Sequence, residues 1–379
     1  MGLESYRKKI DQIDEELIQK LEERMAVAED IARYKKEHGL PVADYMRERA
    51  LLQRVEERSA EGMGLYNRNV FSTLMEMSKD RQHAITDGDT ELVKTIKAAI
   101  EETPRLFPEK VLAACQGVEG AYSQQACEKF FRSPRILYMK NFRGVFAAIE
   151  KGLCQYGVLP IENSSAGSVN QVYDLMMEYN FYIVKSMKMK VDHSLLVKRG
   201  TRREDIREIV SHEQALAQCE EYLKAMPGVK ITVMENTAEA ARFVAESDRT
   251  DLAAIASYTS GQLYNLMCLE ESIQDSDNNY TRFICISRKP EIYPGANKTS
   301  FMMTVEHQPG ALFHVLSRFY AVGINLEKLE SRPIPSKDFE FMFYFDLECS
   351  VYADAFVQMM NQLEALSRDF KYLGSYMEV

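Results

Sequence analysis

The 379-residue sequence contains no apolar run long enough to cross a membrane, no Cys-x-x-Cys pair and no cluster of histidines. A membrane helix needs about 20 consecutive apolar residues, so the composition excludes an integral membrane protein. The first residues predict a charged amphipathic helix rather than a secretory signal peptide. Seven scattered cysteines predict reduced thiols in the core of a cytoplasmic protein. The six histidines lack metal-ligand spacing, so we expect neither a metal nor a cofactor.

The sequence is also poor in positive charge, with 47 Lys and Arg against 57 Asp and Glu and a net charge of −10. This balance argues against nucleic acid and anionic membranes as partners. An anionic substrate must therefore be bound by local cationic pockets. A chain of this length is too long for one ordinary core and predicts two or three domains.

Two cations stand in an apolar helix stripe near the N-terminus. Arg24 lies at the centre of the stripe, and Lys35 lies three turns further on, only about 20° away around the helix. Either side chain alone could extend to solvent, as Lys and Arg usually do. Two cations on one stripe favour a helix that lines a pocket for a small anion. The apolar residues of the stripe are Tyr6, Ile10, Ile13, Leu17, Leu21, Ala28 and Ile31.

Two further helical patterns follow Pro41, and the second carries Ser78 and Gln82 on one face. With these residues in place, residues 5–82 resemble the all-helical chorismate mutase found at the front of bifunctional enzymes of aromatic biosynthesis. We assign residues 1–85 to this domain. The resemblance covers Arg7, Arg24, Lys35, Asp44, Arg47, Glu48, Ser78 and Gln82.

The resemblance implies a three-helix fold in which two chains intertwine as a dimer. Arg7 points about 100° away from the stripe, which suits an arginine donated to the partner's site. By resemblance, Arg7 and Arg24 bind the carboxylates of chorismate, and Lys35 and Gln82 face its ether oxygen. Glu48 with Asp44 binds the ring hydroxyl, and Arg47 and Ser78 complete the site. The rearrangement to prephenate requires only positioning and charge stabilisation.

The middle of the chain changes to short β-branched runs that alternate with helices. A polar linker, residues 86–109, precedes this segment, and residues 110–289 predict an α/β domain of two lobes with a cleft between them. Strands are predicted at Tyr156–Pro160 and Phe283–Ile286, among others. Polar clusters follow or precede these strands, where ligand sites of α/β sheets usually lie. The clusters are residues 116–123, 160–167, 211–219 and 278–283.

Together and in this order, the clusters resemble prephenate dehydratase, which folds like a type II periplasmic binding protein. The Glu162-Asn163-Ser164 loop and the tripeptide Thr281-Arg282-Phe283 are the most specific parts. The resemblance places Thr281 at the leaving hydroxyl and makes Arg282 a carboxylate clamp. It puts the other polar groups around the substrate: Glu162, Asn163, Ser164, Ser211 and Gln218.

The proton donor for dehydration is left open by these residues. Thr281 is too weak an acid to be the net source, so it is expected to donate within a relay that Glu162 or a water completes. His193 and His212 are alternatives. The substrate could also be arogenate, or the cleft could belong to a non-catalytic protein that senses amino acids. A fused dehydrogenase is disfavoured because Gly62-Met63-Gly64 is the closest approach to a dinucleotide-binding motif.

Residues 297–379 follow a Pro- and Gly-containing boundary and predict the order βαββαβ, typical of the ferredoxin-like fold. This segment resembles the ACT regulatory domain of prephenate dehydratases. The resemblance implies paired domains that bind phenylalanine, the pathway product, as an inhibitor at their interface, and a homodimer or higher oligomer. The candidate effector-site residues are Gly310, Ala311, Leu312, Asn325, Leu326, Glu330, Ser331 and Arg332.

Overall fold

The computed structural model describes residues 2–86, 88–334, 340–367 and 369–379. Its internal contacts divide the chain into two units, residues 1–94 with 357–366 and residues 95–356 with 367–379. Residue 87 of the predicted linker and residue 339, where a strand was expected to begin, lie outside the described residues. Within those residues no helix is long and apolar enough to cross a membrane.

The first unit is helical. Its helices are α1 (Leu3–His38), α2 (Tyr45–Arg58), α3 (Gly64–Thr86), the start of α4 (Glu91–Glu102) and residues 357–366 of a later helix. Gly39 ends α1 in the left-handed conformation, with φ of 63°, which glycine adopts without strain. Asp44 caps α2 by accepting a hydrogen bond from the Arg47 amide. These caps define the turn between α1 and α2.

The N-terminal part of α1 leaves its apolar stripe open to solvent. At 36 residues α1 is about 54 Å long, and within the helix only Ala28 and Ala32 are fully buried. Tyr6, Ile10 and Ile13 are each more than half exposed. An apolar stripe of this length is costly to leave in water.

The second unit begins with a sheet and its covering helices. The first elements are β1 (Leu112–Gln116), α5 (Tyr122–Phe130), β2 (Arg135–Met139), α6 (Phe142–Glu150), β3 (Tyr156–Asn163), β4 (Gly167–Ser168), α7 (Asn170–Glu178) and β5 (Tyr182–Lys190). The next elements are β6 (Ser194–Val197), a short 3-10 helix (Arg203–Asp205), β7 (Glu208–His212), α8 (Glu213–Ala217), α9 (Glu220–Lys224), β8 (Lys230–Met234), α10 (Thr237–Glu246), β9 (Leu252–Ala256), α11 (Tyr258–Leu263) and β10 (Met267–Glu270). β11 (Tyr280–Ser287) returns to the first sheet, where it pairs with β3 and β5.

The strands of residues 110–289 form two lobes, as the sequence predicts. One lobe holds β5-β11-β3-β1-β2, and the other holds the five-stranded sheet β10-β6-β9-β7-β8. The sequence missed the short strands β4, β6 and β10. It also ended β3 at Pro160 and began β11 at Phe283, whereas both strands continue through the polar motifs, to Asn163 and from Tyr280.

The C-terminal segment has the expected order of elements. These are β12 (Lys298–Thr304), α12 (Ala311–Ala321), β13 (Asn325–Pro333), β14 (Phe341–Glu348), α13 (Asp354–Leu366) and β15 (Phe370–Glu378). The strands lie in the order β13-β14-β12-β15, and all neighbours within this set are antiparallel.

The C-terminal strands continue the sheet of the first lobe, which the sequence did not predict. Residues 290–297 are not the only connection, because β15 pairs with β5 in parallel, with Met377 opposite Lys185. Gly374 permits this approach. Its φ is +134°, and a Cβ at this position would lie 2.2 Å from the carbonyl oxygen of Ile183. The C-terminal segment is therefore built into the same sheet as the cleft.

Candidate active sites

A cavity of about 710 Å³ lies within the helical unit and collects cations from all three long helices. α1 supplies Arg24 and Lys35, and α2 supplies Arg47 and Glu48. Of the sequence-predicted residues, all except Arg7 line this cavity: Arg24, Lys35, Asp44, Arg47, Glu48, Ser78 and Gln82. The arrangement is suited to a small anion that also carries a hydroxyl.

Arg24 is held in the cavity by α3. Its Nη1 donates to the Leu74 carbonyl oxygen at 2.9 Å and to the Ser78 hydroxyl. Burial lowers the pKa of the Arg24 guanidinium, but an arginine remains charged. The remaining donors of the guanidinium are available to a carboxylate. Ser78 thus acts here as the support that orients Arg24.

Lys79 is a cavity residue that the sequence reasoning missed. Its Nζ lies 2.6 Å from a Glu76 carboxylate oxygen and 3.4 Å from Glu48 Oε2. Burial alone would lower the pKa of Lys79, but these two carboxylates outweigh burial and raise it. Lys79 lies three residues before Gln82 in α3, a spacing that places the two on one helix face, and this was the available signal.

Arg7 lies outside this cavity. Its guanidinium is exposed and pairs with Glu4 of the same helix at 3.0 Å. Lys35 donates to the Val42 carbonyl oxygen at 2.6 Å, which holds the turn after α1. Gln82 is buried, and its Oε1 makes no hydrogen bond with any described residue.

The second candidate site is a cleft of about 480 Å³ in the two-lobed unit. Thr281 and Asn163 meet there because β11 and β3 place them directly opposite each other. The Asn163 side-chain amide donates to Thr281 Oγ1 at 2.9 Å. Since Thr281 Oγ1 accepts this bond, its own hydrogen is free to point to a ligand. Gln218, also predicted from sequence, lines the same cleft.

Glu162 and Arg282 do not line the cleft, contrary to our expectation. They form the next opposed pair of the same two strands, and neighbouring residues of a strand point to opposite faces. Glu162 accepts a 2.7 Å hydrogen bond from Lys328 of β13. Glu162 therefore does not complete a proton relay with Thr281.

Arg282 is a buried structural cation rather than a carboxylate clamp. Its guanidinium pairs with Asp346, lies 2.9 Å from Glu378 and donates to the Tyr376 hydroxyl at 2.8 Å. Burial opposes the charge, but Tyr376 and Asp346 outweigh it and raise the pKa of Arg282. For Glu378, burial is likewise outweighed by Lys298 and Arg282, which lower its pKa to about 2.

Two predicted serines also serve the framework instead of the cleft. Ser211 is fully buried, and its hydroxyl donates to the Ile255 carbonyl oxygen at 2.6 Å. Ser164 donates to the Asn278 carbonyl oxygen at 2.7 Å and accepts from the Tyr280 amide at 2.9 Å. Ser164 therefore ties the end of β3 to the segment that enters β11.

The cleft has no formal cation among the described residues that line it, since these include no Lys and no Arg. Their titratable side chains are Tyr122, His193, His212 and Glu235. Ser123 in the first turn of α5 and Thr237 in the first turn of α10 bring helix N-termini to the cleft. Backbone N–H groups and the helix dipole favour negative charge at such positions.

Glu235, Asn236 and Thr237 are cleft residues that the sequence reasoning passed over. They directly follow the predicted strand Ile231–Met234, and this position was the available signal. Asn236 caps α10 by accepting from the Glu239 amide at 2.8 Å.

Strand β13 contacts the end of β3 and the short strand β4 that follows it. We call residues 162–168, which comprise the end of β3, the turn and β4, the cleft loop. Lys328 donates to Ser168 Oγ at 2.8 Å as well as to Glu162, and Ser168 Oγ donates to Glu330 at 2.6 Å. Nearby, Arg332 pairs with Asp174 of α7 at 2.9 Å.

The other residues predicted for effector binding lie at the start of α12 and along β13. Gly310 precedes α12 in the left-handed conformation, with φ of 85°, and Ala311 and Leu312 open that helix. Asn325 and Leu326 begin β13, and Ser331 lies further along the same strand, between Glu330 and Arg332.

Comparison with known proteins agrees with this pair of sites. The chorismate mutase type II family model matches residues 6–83, and the prephenate dehydratase model matches residues 113–291. A bifunctional chorismate mutase/prephenate dehydratase from Aquifex aeolicus is 31% identical over 99% of this chain and 97% of its own length. An arogenate dehydratase/prephenate dehydratase of Arabidopsis thaliana is 39% identical over 70% of this chain and 73% of its own.

The fold is also found among solved structures. A prephenate dehydratase from Arthrobacter aurescens, solved in complex with L-Phe, superposes with a TM-score of 0.65 at 26% identity, covering 70% of this chain and 89% of that one. The helical cavity and the two-lobed cleft thus define a mutase joined to a dehydratase. The chain belongs to the family of bifunctional chorismate mutase/prephenate dehydratases.

Proposed function

We propose that the helical cavity rearranges chorismate to prephenate and that the cleft converts prephenate to phenylpyruvate, two steps of phenylalanine biosynthesis. The observation that carries this proposal is that the two sites are lined by side chains of different chemistry. Cations and a carboxylate line one site, and the opposed Thr281 and Asn163 lie in the other. We further propose a cytoplasmic location, supported by seven free cysteines.

In the mutase, the protein positions its substrate and stabilises charge. Arg24 binds a carboxylate of chorismate while α3 holds its guanidinium. Lys35 and Gln82 face the ether oxygen, on which negative charge develops as the bond breaks. A neutral glutamine is a donor at any pH, so this site needs no acidic medium. Glu48, held by Lys79, accepts a hydrogen bond from the ring hydroxyl.

In the dehydratase, aromatisation of the ring drives the reaction, and the protein assists departure of the hydroxyl. Thr281 donates its free hydrogen to the leaving oxygen, while Asn163 holds Thr281 in place. Gln218 and the helix N-termini beside Ser123 and Thr237 bind the carboxylates.

Arogenate is the second candidate substrate, because it carries an ammonium group where prephenate carries a ketone. Glu235 places a carboxylate in the cleft, which suits such an ammonium. The 39% identity to a plant arogenate dehydratase/prephenate dehydratase also favours this alternative. The ratio of kcat/KM for the two purified substrates decides between them, and we expect prephenate to be preferred.

We propose that the mutase is an intertwined homodimer in which Arg7 reaches the site of the partner. The exposed stripe of Tyr6, Ile10, Ile13 and Leu17 supports this proposal, since a second chain would bury it. The position of Arg7 outside the cavity of its own chain also supports it.

Complementation between two inactive variants tests the donated arginine. Arg7→Ala and Arg24→Ala should each lose mutase activity when pure. After mixing and reassociation, half of the dimers are mixed, and each of these has one intact site. We therefore expect about one quarter of the unaltered activity to return. If both arginines act within one chain, mixing restores nothing.

We propose that residues 297–379 form a ferredoxin-like ACT domain that binds phenylalanine and inhibits the dehydratase. The strand order β13-β14-β12-β15 with two helices supports the fold. The L-Phe complex of the Arthrobacter aurescens relative supports the effector. Gly310–Leu312, Asn325 and Leu326 are the proposed binding residues. Inhibition requires phenylalanine to favour one state of the domain by about 1–3 kcal/mol.

We propose that inhibition reaches the cleft through Lys328. Phenylalanine bound near the start of β13 would shift this strand, and Lys328 connects the strand to Glu162 and Ser168 at the two ends of the cleft loop. Asn163, which holds Thr281, lies within that loop.

Lys328→Met tests this connection in the full chain. The variant should keep its dehydratase and mutase rates without phenylalanine, but inhibition of the dehydratase should weaken at least fivefold, about the lower end of common allosteric couplings. Lys230→Met is the matched control, because it breaks the Lys230–Glu208 pair of the other lobe. Unchanged inhibition in Lys328→Met would place the connection elsewhere.

Removal of the whole C-terminal segment would not test regulation alone. A chain that ends near Lys289 would lose Asp346, Tyr376 and Glu378, the partners of buried Arg282. An unpaired buried cation is strongly destabilising. Since Arg282 is the neighbour of Thr281, such a truncation would disturb catalysis and regulation together.

A further inference from the structure

The cleft contains one buried imidazole with a free nitrogen. His193 is 2% exposed and lines the cleft, and its Nδ1 has no hydrogen-bond partner among the described residues. His193 Nε2 lies 2.9 Å from Gln218 Oε1. Buried polar atoms rarely lack a partner, and a catalytic role is one of the recognised reasons for an exception.

Two backbone amides determine the orientation of every side chain between Thr281 and His193. The Ser165 and Ala166 amides both donate to Asn163 Oδ1. The nitrogen of Asn163 must then face Asn279 and Thr281, at 2.9 Å from each. Asn279 therefore presents its oxygen to Asn163 and its nitrogen, at 3.0 Å, to Gln218 Oε1.

This order of donors and acceptors determines which nitrogen of the neutral imidazole carries the hydrogen. Gln218 Oε1 accepts from Asn279, and Gln218 Nε2 donates to Ser165 Oγ at 2.7 Å. The atom that faces Gln218 Oε1 must be a donor, so His193 carries its hydrogen on Nε2. In the neutral ring Nδ1 then holds a lone pair and can take up a proton.

The charges around His193 favour proton uptake only when a substrate is bound. Burial lowers the pKa of His193, so the ring is neutral in the empty cleft. Tyr122 of α5 packs edge-on against the ring, and Asp192, its chain neighbour, is bonded to Gln274 and Lys190. His212 and Glu235 are the other titratable groups of the cleft. With no lysine or arginine among the described lining residues, a bound dianion would favour a positive imidazolium.

We propose that His193 is the general acid of the dehydration, with Nδ1 giving a proton to the ring hydroxyl of the bound dianion. The bond between ring carbon and hydroxyl oxygen breaks, its electron pair goes to oxygen, and water departs. The electrons of the ring–carboxylate bond enter the ring as carbon dioxide leaves, which completes the aromatic ring. The neutral imidazole takes up a proton from solvent again when the next dianion binds. Thr281 orients the hydroxyl. This assignment rests on the proposed dehydratase function.

His193→Gln tests the assignment, because its amide can still donate to Gln218. We expect kcat for prephenate dehydration to fall by about 10²-fold or more. In the unaltered protein kcat should fall as pH rises and the acid is lost, and the variant should lose this dependence. The matched control is His212→Gln, since His212 Nδ1 is already bonded to the Gln214 amide. That control should keep the pH dependence.

The mutase rate of the same preparation reports folding, because that site lies in the helical unit. If His193→Gln does not fold, calorimetry on the full chain gives a second test. Binding of prephenate to Thr281→Ala, measured in buffers of different ionisation enthalpy, should take up about one proton per site above neutral pH. A His193→Gln variant with unchanged kcat and pH profile, or binding without proton uptake, would overturn the assignment. Failure of the unaltered protein to dehydrate prephenate would instead refute the proposed function.

Discussion

Arg24→Ala should abolish chorismate mutase activity while prephenate dehydration continues. The guanidinium lies in the cavity and is held by the Leu74 carbonyl oxygen and the Ser78 hydroxyl. An arginine–carboxylate pair at 4 Å is worth up to about 4 kcal/mol at an effective dielectric of 20, before desolvation is subtracted. We therefore expect kcat/KM for chorismate to fall by up to about 10³-fold, measured by the loss of chorismate absorbance.

The matched control for this experiment is Arg33→Ala. Arg33 lies on the same helix, but its exposed guanidinium pairs with Glu29 and Asp30 and does not line the cavity. It should retain full mutase activity. A conversion rate within a few-fold of the unaltered protein in Arg24→Ala would show that the cavity is not the mutase site.

Thr281→Ala should reduce dehydratase turnover by roughly 10²-fold or more and leave the mutase unaffected. The hydroxyl accepts from Asn163 and is left with one hydrogen to donate, so its removal deletes a donor used in the transition state. Asn163 keeps Asn279 Oδ1 as an acceptor, at 2.9 Å, and the fold should survive. The measurement is kcat for phenylpyruvate formation from prephenate.

Two companion variants show whether the hydroxyl itself is responsible. Thr281→Ser retains the hydroxyl and should recover most of the turnover. Thr201→Ala removes a buried threonine of the other lobe, one that donates to the Thr250 carbonyl oxygen at 2.9 Å, and should leave turnover unchanged. A change in KM alone in Thr281→Ala would make Thr281 a ground-state binder.

The sequence predicted the helical cavity well because helical spacing determines which side chains share a face. Arg24 and Lys35 repeat along one stripe, and Ser78 and Gln82 are separated by one turn. All four reach the same cavity. Lys79 was missed because its pair with Glu48 depends on how α2 and α3 pack, whereas its pair with Glu76 lies within α3.

The cleft was predicted less completely because β3 was predicted to end too early and β11 to begin too late. Glu162, Asn163, Thr281 and Arg282 were taken as loop residues, for which no face can be assigned. They lie in paired strands, so alternation sends Asn163 and Thr281 to the cleft and Glu162 and Arg282 to the C-terminal strands. Had β3 and β11 been extended by a few residues, the alternation would have separated the two pairs.

The contact between β13 and the cleft loop had no signal in the sequence. Lys328 and Glu162 are 166 residues apart, and no periodicity relates them. Their proximity follows from the parallel pairing of β15 with β5, which depends on the close approach at Gly374. Long-range pairing of this kind is determined by tertiary packing.

The most direct test of the whole account is the conversion of chorismate by the purified, unaltered chain. The account predicts that chorismate disappears, that prephenate accumulates transiently and that phenylpyruvate forms without added nicotinamide. Thr281→Ala, measured beside it, should stop at prephenate. Chorismate loss that ends at prephenate in the unaltered chain as well would show that the cleft is not a dehydratase and would contradict the account.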